Sequence, residues 1–283
     1  MQRFISVEEL SPASLADWQV VLVSMSNPVS GEADTAKDGY LPDSVKIDLD
    51  AEGSDHSCEL PHRRLTPESL SALLGSLGIT QSTPVLLYDN YGLFCAPRLW
   101  WMLKSIGHQR VAVLNGGLPA WKAKGLPLVT DLKTDAEITP VTYTPSESHL
   151  VDFCDAEGVL SVLDKPGTTV VDARSRPRFN GEVAEPRPGL RSGHMPGAKN
   201  VPFTELLTEQ KTLHSSAALT TYFKRNDIDI TQPVICSCGS GVTACVVGMA
   251  ALEAGASQVT VYDGSWAEWG AEPRFPVETN NDE

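Results

Sequence analysis

The sequence repeats itself once, and this duplication constrains the fold more than any other feature. Val111, Gly116 and Trp121 recur 148 residues later as Val259, Gly264 and Trp269, within RVAVLNGGLPAW and QVTVYDGSWAEW. Pro84-Val85-Leu86-Leu87-Tyr88-Asp89 recurs 149 residues on, as Pro233-Val234-Ile235-Cys236-Ser237-Cys238. One recurrence at so long a period describes two copies of a domain, since solenoid repeats run to only about 20–50 residues. The chain's 283 residues also exceed the usual size of a single domain.

Each copy alternates strand and helix. Val20 to Val23, Val85 to Tyr88 and Val111 to Leu114 are short, β-branched, apolar runs, as are Thr169 to Val171, Val234 to Cys236 and Val259 to Tyr262. Such runs suit strands buried on both faces. Thr66, Pro67 and Glu68 give an N-cap, a first-turn proline and an acidic first turn. Val242 to Glu253 has helical composition and stops before Gly255. The expected fold is α/β, two tandem domains, each with a central, mainly parallel sheet flanked by helices. The expected divisions are residues 1–128, a linker at 129–148 rich in Thr, Pro, Ser and acidic residues, and 149–283.

Charge and cysteine usage narrow the function classes. Lys and Arg number 22 against 36 Asp and Glu, a net charge of −14, which disfavours nucleic acid and anionic membranes as partners. A local pair of arginines can still hold a small anion, because fields are screened over about 10 Å. No apolar run reaches the roughly 18 residues of a membrane span, and Met1 to Leu10 has no apolar core of a targeting peptide, so a cytoplasmic protein is expected. The six cysteines contain no CxxC pair, which argues for thiols rather than a structural zinc site.

Ligands of open α/β sheets bind beyond the carboxyl ends of the strands. Cys238-Gly239-Ser240-Gly241-Val242-Thr243 lies between a strand and a helix. Its glycines let the loop curl so that backbone N–H groups point inward as an anion nest, and the helix start adds partial positive charge. A thiol there is favoured as thiolate and hence as a nucleophile. A lone buried cysteine would mean little; one that opens such a loop points to chemistry. In the first copy the same loop reads Asp89-Asn90-Tyr91-Gly92-Leu93-Phe94, with a carboxylate for the thiol and bulky side chains, and is expected to be catalytically silent.

These residues resemble those of the tandem-rhodanese sulfurtransferases, and the loop CGSGVT is like that of 3-mercaptopyruvate sulfurtransferases. The likeness extends to APRLWWML and LNGGLPAW in the first copy, and to VDAR, EPRPG, SGHMPGAKNVPF and YDGSWAEWG in the second. It implies transfer of sulfane sulfur from 3-mercaptopyruvate through a persulfide on Cys238 to a thiol such as thioredoxin or glutathione, with no metal or organic cofactor. It also implies that Arg178 and Arg187 bind the donor, beside Gly239, Gly241, Val242 and Thr243. Ser240, His62 and Asp50 are implied as a relay in the first half-reaction.

The loop separates relatives by charge. Thiosulfate-using rhodaneses carry cationic residues there, and the phosphatases of this fold end the loop in arginine. Residues 239–243 contain no Lys or Arg, and Ala244 follows. Thiosulfate sulfurtransferase activity and a non-catalytic persulfide-binding module remain as alternatives. Cys236, two residues before Cys238, is expected to be a buried thiol; His194 and Asp172 are expected to be structural, and Trp100 and Trp101 to lie in the core.

Overall fold

The computed structural model describes residues 2–26, 32, 34, 39–146, 151–163 and 165–279. Residues 147–150 of the expected linker and second-domain start therefore lie outside the described residues. The chain divides into two compact units. The first comprises residues 1–55, 64–150 and 208–213; the second comprises 56–63, 151–207 and 214–283.

The first unit contains strands β1 (Phe4–Ile5), β2 (Gln19–Ser24), β3 (Val45–Asp48), β4 (Val85–Tyr88) and β5 (Val111–Leu114). Its helices are α1 (Pro12–Leu15), α2 (Pro67–Ser76), α3 (Ala96–Ser105) and α4 (Gly117–Ala123). The second contains β6 (Asp152–Cys154), β7 (Thr169–Asp172), β8 (Lys199–Asn200), β9 (Val234–Ser237) and β10 (Val259–Tyr262). Its helices are α5 (Ala156–Leu160), α6 (Arg176–Phe179), α7 (Ser216–Arg225), α8 (Val242–Glu253) and α9 (Ser265–Trp269). The sheet orders are β1-β5-β4-β2-β3 and β6-β10-β9-β7-β8, with every pairing parallel. Numbered from its own first strand, each sheet has the same order. The sequence duplication is therefore a duplication of topology.

The likeness reaches side chains. Trp121 and Trp269, both fully buried, donate their indole N–H to the carbonyls of Pro127 and Pro276 at 2.9 and 2.8 Å. Tyr40 pairs with Val129 and His194 with Glu278 through matching antiparallel bridges. His194 is buried, with Nδ1 2.8 Å from the Phe179 carbonyl and its ring stacked on Phe179, the structural part expected of it. Trp100 and Trp101 are core residues, as expected.

The described part of the expected linker packs on the first unit. The Val141 N–H donates to the Gly75 carbonyl at 2.9 Å, where Gly75 has no side chain to hold the strap off. Tyr143 is buried, with its hydroxyl 3.0 Å from His108 Nδ1. His108 Nε2 pairs with the Thr83 carbonyl, and burial pushes this histidine down to about 4. Among the described residues no helix is long and apolar enough to cross a membrane.

Candidate active site

Cys238 follows β9, the central strand of the second sheet, and is 2% exposed. Helix α8 begins four residues later, capped by Gly241 at φ +76°, a left-handed conformation that favours glycine. Apart from Thr243, its residues Val242 to Ala251 are apolar or glycine and buried, so α8 is packed on nearly all sides, against β9 and β10 among others. The loop thus turns on a rigid strand and a rigid helix.

Three other cysteines are poorly suited to ionise. Burial pushes the thiols of Cys95 and Cys236 well above their ordinary range and that of Cys154 up to about 12. The Cys245 thiol donates to the Gly241 carbonyl, four residues back in its helix.

Two arginines meet over the loop. A Cβ on Gly239 would lie 3.2 Å from Arg178 Nη2 and 3.8 Å from Arg187 Nη1. The bareness of residue 239 gives the Arg178 guanidinium room beside the residue next to the thiol, and Arg187 lies at ordinary contact distance from the same position. Arg178 is held from behind by Glu185, which accepts from Arg178 Nε at 3.2 Å and from Nη2 at 2.5 Å. Glu185 also accepts from Arg174 Nη1 at 2.8 Å, and Arg174 is bound to both Asp172 carboxylate oxygens and stacked over Trp266, 4.1 Å from the ring centroid. The Arg174, Asp172 and Glu185 side chains are 1–2% exposed. The chain Asp172–Arg174–Glu185–Arg178 carries Arg178 on a buried ion network. Arg191 likewise points inward, to the carbonyls of Trp269, Gly270, Glu272 and Phe275. These arginines do not form a solvated basic loop.

The segment 56–63 groups with this unit and brings His62 to the loop, with Nδ1 2.9 Å from Ser240 Oγ. His62 sits at φ +56°, left-handed and strained for a residue with a Cβ, which aims the ring from a tight turn. Ser240 is 6% exposed. Val242 and Thr243 form the first turn of α8. Asp50 lies in the first unit, exposed, where its carboxylate accepts the Ser26 N–H at 2.6 Å.

The first copy shows what the loop is built to hold. Asp89 occupies the position of Cys238, wholly buried, and its carboxylate accepts N–H groups of Tyr91, Phe94, Cys95 and Ala96 at 2.8–3.0 Å. Helix α3 accordingly begins only at Ala96, three positions later than its counterpart α8. The first copy's nest is intact and filled by its own side chain.

Sequence reasoning passed over Glu185 and Ser265. Glu185 stands between Arg178 and Arg187, with Glu182 the other acid in that interval, and an acid flanked by two arginines was a readable signal. Ser265 replaces Gly117 in the repeat, 148 residues apart, and the substitution at a turn was visible.

The rhodanese-like domain model matches residues 16–124 and again 155–272. The chain belongs to the rhodanese family. It is 38% identical over 276 residues to the 3-mercaptopyruvate sulfurtransferase of Escherichia coli K12, covering 93% of this chain and 96% of that one. It is 37% identical over 259 residues to the mitochondrial thiosulfate/3-mercaptopyruvate sulfurtransferase 1 of Arabidopsis thaliana, covering 85% of this chain and 68% of that one. Among solved structures, the Escherichia coli 3-mercaptopyruvate enzyme SseA matches with a TM-score of 0.78 at 33% identity over 94% of this chain and 99% of that one. Tum1 of Saccharomyces cerevisiae matches with a TM-score of 0.84 at 28% identity over 99% and 98%. The expected α/β fold and rhodanese resemblance are borne out.

Proposed function

We propose that this protein moves sulfane sulfur from 3-mercaptopyruvate, through a persulfide on Cys238, to a thiol acceptor. The observation that carries the reading is the convergence of Arg178 and Arg187 over the bare Gly239, on a loop that has no cation of its own. Planar guanidinium forks suit a carboxylate, and they lie against the residue that follows the nucleophile, within reach of the carboxylate of a small 2-oxo acid.

The Cys238 thiolate attacks the donor sulfur; an S–S bond forms, the C–S bond breaks, and its electron pair leaves as pyruvate enolate. A proton from Ser240 Oγ, relayed by His62 and oriented by Asp50, converts the enolate to pyruvate. Loop N–H groups of residues 239–243 hold the persulfide charge. A thiolate such as that of glutathione or thioredoxin then takes the outer sulfur and returns Cys238 to thiolate. We assign this chemistry to the copy at 149–283, with 1–128 the silent copy, and place the protein in the cytoplasm, with small-molecule donors and neither nucleic acid nor membrane as partner.

Thiosulfate is the competing donor, and the name of the Arabidopsis relative joins both. Side-by-side kcat/KM values decide: mercaptopyruvate is expected to be the better donor, and equal or faster use of thiosulfate overturns the assignment. A protein that turns over neither, yet accepts sulfur from another protein's persulfide, would be a binding module instead.

A further inference from the structure

We infer that Ser265 is a positioning residue for the nucleophile, a role that rests on the reading of Cys238 as the sulfur carrier. Ser265 opens α9 at φ +50°, a left-handed conformation disfavoured for any residue with a Cβ, and it is fully buried. Its counterpart in the first copy, Gly117, has nearly the same φ, +52°. Both copies therefore need the turn, and the first meets it with glycine. There a Cβ would lie 2.5 Å from the Asp89 carbonyl oxygen and 2.8 Å from that of Gly92. The second copy accepts the strain and gains a hydroxyl.

That hydroxyl is fully used. Ser265 Oγ accepts the N–H of Cys238 at 3.1 Å and donates to the Tyr262 carbonyl at 2.9 Å. The next two residues continue the clamp: the Trp266 N–H donates to the Cys238 carbonyl and the Ala267 N–H to the Gly239 carbonyl, both at 2.9 Å. From the other side, the Ala173 N–H holds the Ser237 carbonyl at 2.8 Å. Successive peptide groups on both sides of the cysteine are thus pinned. In a trans peptide the N–H points opposite to the C=O. With the carbonyls of 238 and 239 turned toward α9, the N–H groups of Gly239 and Ser240 face away from α9, free to line an anion cradle. The first copy keeps one of these bonds, Leu118 N–H to the Asp89 carbonyl at 3.0 Å, and has no hydroxyl at 117. Its loop is instead ordered by the Asp89 carboxylate. A cysteine sulfur is a weaker acceptor than a carboxylate and cannot order the loop as Asp89 does, so the second copy orders the loop from outside.

Two variants separate the hydroxyl from the strain. Ser265→Gly removes the hydroxyl and relieves the backbone, as the first copy does naturally. Ser265→Ala removes the hydroxyl and keeps the strained Cβ. On the full chain, one measures melting temperature, kcat and KM for pyruvate release with mercaptopyruvate and excess thiol, and the rate of Cys238 alkylation by iodoacetamide. Expected for Ser265→Gly is a melting temperature close to wild type, kcat lowered about 10–100-fold as for a small misplacement of a reacting group, KM little changed, and alkylation slowed. Ser265→Ala should show the same kinetic losses with a lower melting temperature. Wild-type kcat and alkylation in Ser265→Gly would overturn the inference and leave Ser265 as a turn residue, whatever Ser265→Ala does. Failure of the underlying reading looks different: the wild type itself would take no sulfur from the donor onto Cys238, while the alkylation comparison would still judge the hydroxyl.

Discussion

Glu185→Gln tests whether the buried ion network governs donor binding. The carboxylate lies between Arg174 and Arg178, with its side chain 1% exposed and contacts of 2.8 Å to one guanidinium and 2.5 and 3.2 Å to the other. Breaking a buried pair by removing one partner costs about 3–5 kcal/mol, because the remaining charge stays buried. Gln keeps an amide oxygen as acceptor and Asp172 still neutralises Arg174, so the lower end, about 3 kcal/mol, is expected. At about 2–4 °C per kcal/mol the melting temperature should fall by roughly 6–12 °C. The functional effect is separate. Arg178 loses its backstop and leaves Gly239, and a lost charge-assisted contact of about 1.5–3 kcal/mol raises KM for mercaptopyruvate roughly 10–100-fold. The assay is steady-state pyruvate release, run well below the lowered melting temperature. Glu185→Gln, Arg178→Ala and the double variant form a cycle. The double variant should be little worse in KM than Arg178→Ala, since both changes remove one interaction. Additive losses in KM, or a lowered melting temperature with wild-type KM, would refute the claim that Glu185 acts through Arg178.

Ser240→Ala and His62→Ala should each slow pyruvate formation from mercaptopyruvate, by up to about 10²–10⁴-fold, and not additively. Thiosulfate expels sulfite and needs no proton, so pre-steady-state rates with that donor should change much less; equal slowing with both donors removes the relay. Asp89→Ala deprives four N–H groups of their acceptor and should destabilise the first unit by about 3–5 kcal/mol in chemical denaturation while the persulfide still forms on Cys238; an unchanged midpoint would mean water fills the nest. His108 is held neutral by burial, at about 4 against an ordinary 6.5. The unfolded chain takes up this proton first as the pH falls. The contribution is therefore full above about pH 6.5 and is lost progressively toward pH 4, roughly 3 kcal/mol in all. His108→Asn should flatten the stability profile in that window, and a profile parallel to wild type would place the titration elsewhere.

The fold was legible because duplication made each of the three inner strands visible twice. β4 and β9, and β5 and β10, are largely apolar runs, α2 carries its Thr66 cap, and α8 stops before Gly255. The short edge strands β1, β3, β6 and β8 were not legible, since two to four residues with mixed burial carry no period. The loop after β9 could be read from glycine spacing and its contrast with Asp89. The grouping of residues 56–63 with the second unit and 208–213 with the first could not, because both are short polar loops whose partners lie far away in the chain. The ion network escaped for a related reason. Arg174 and Glu185 look like surface charges in sequence, and only burial at about 1% joins them to Asp172 as a scaffold.

Intact-mass analysis after brief exposure to mercaptopyruvate, without acceptor, tests the central claim most directly. The account predicts one added sulfur in the wild type, mapped to the peptide that carries Cys238, released on addition of thiol, and absent in Cys238→Ser. Sulfur on Cys95, Cys154 or Cys236, or undiminished loading of Cys238→Ser, would contradict it.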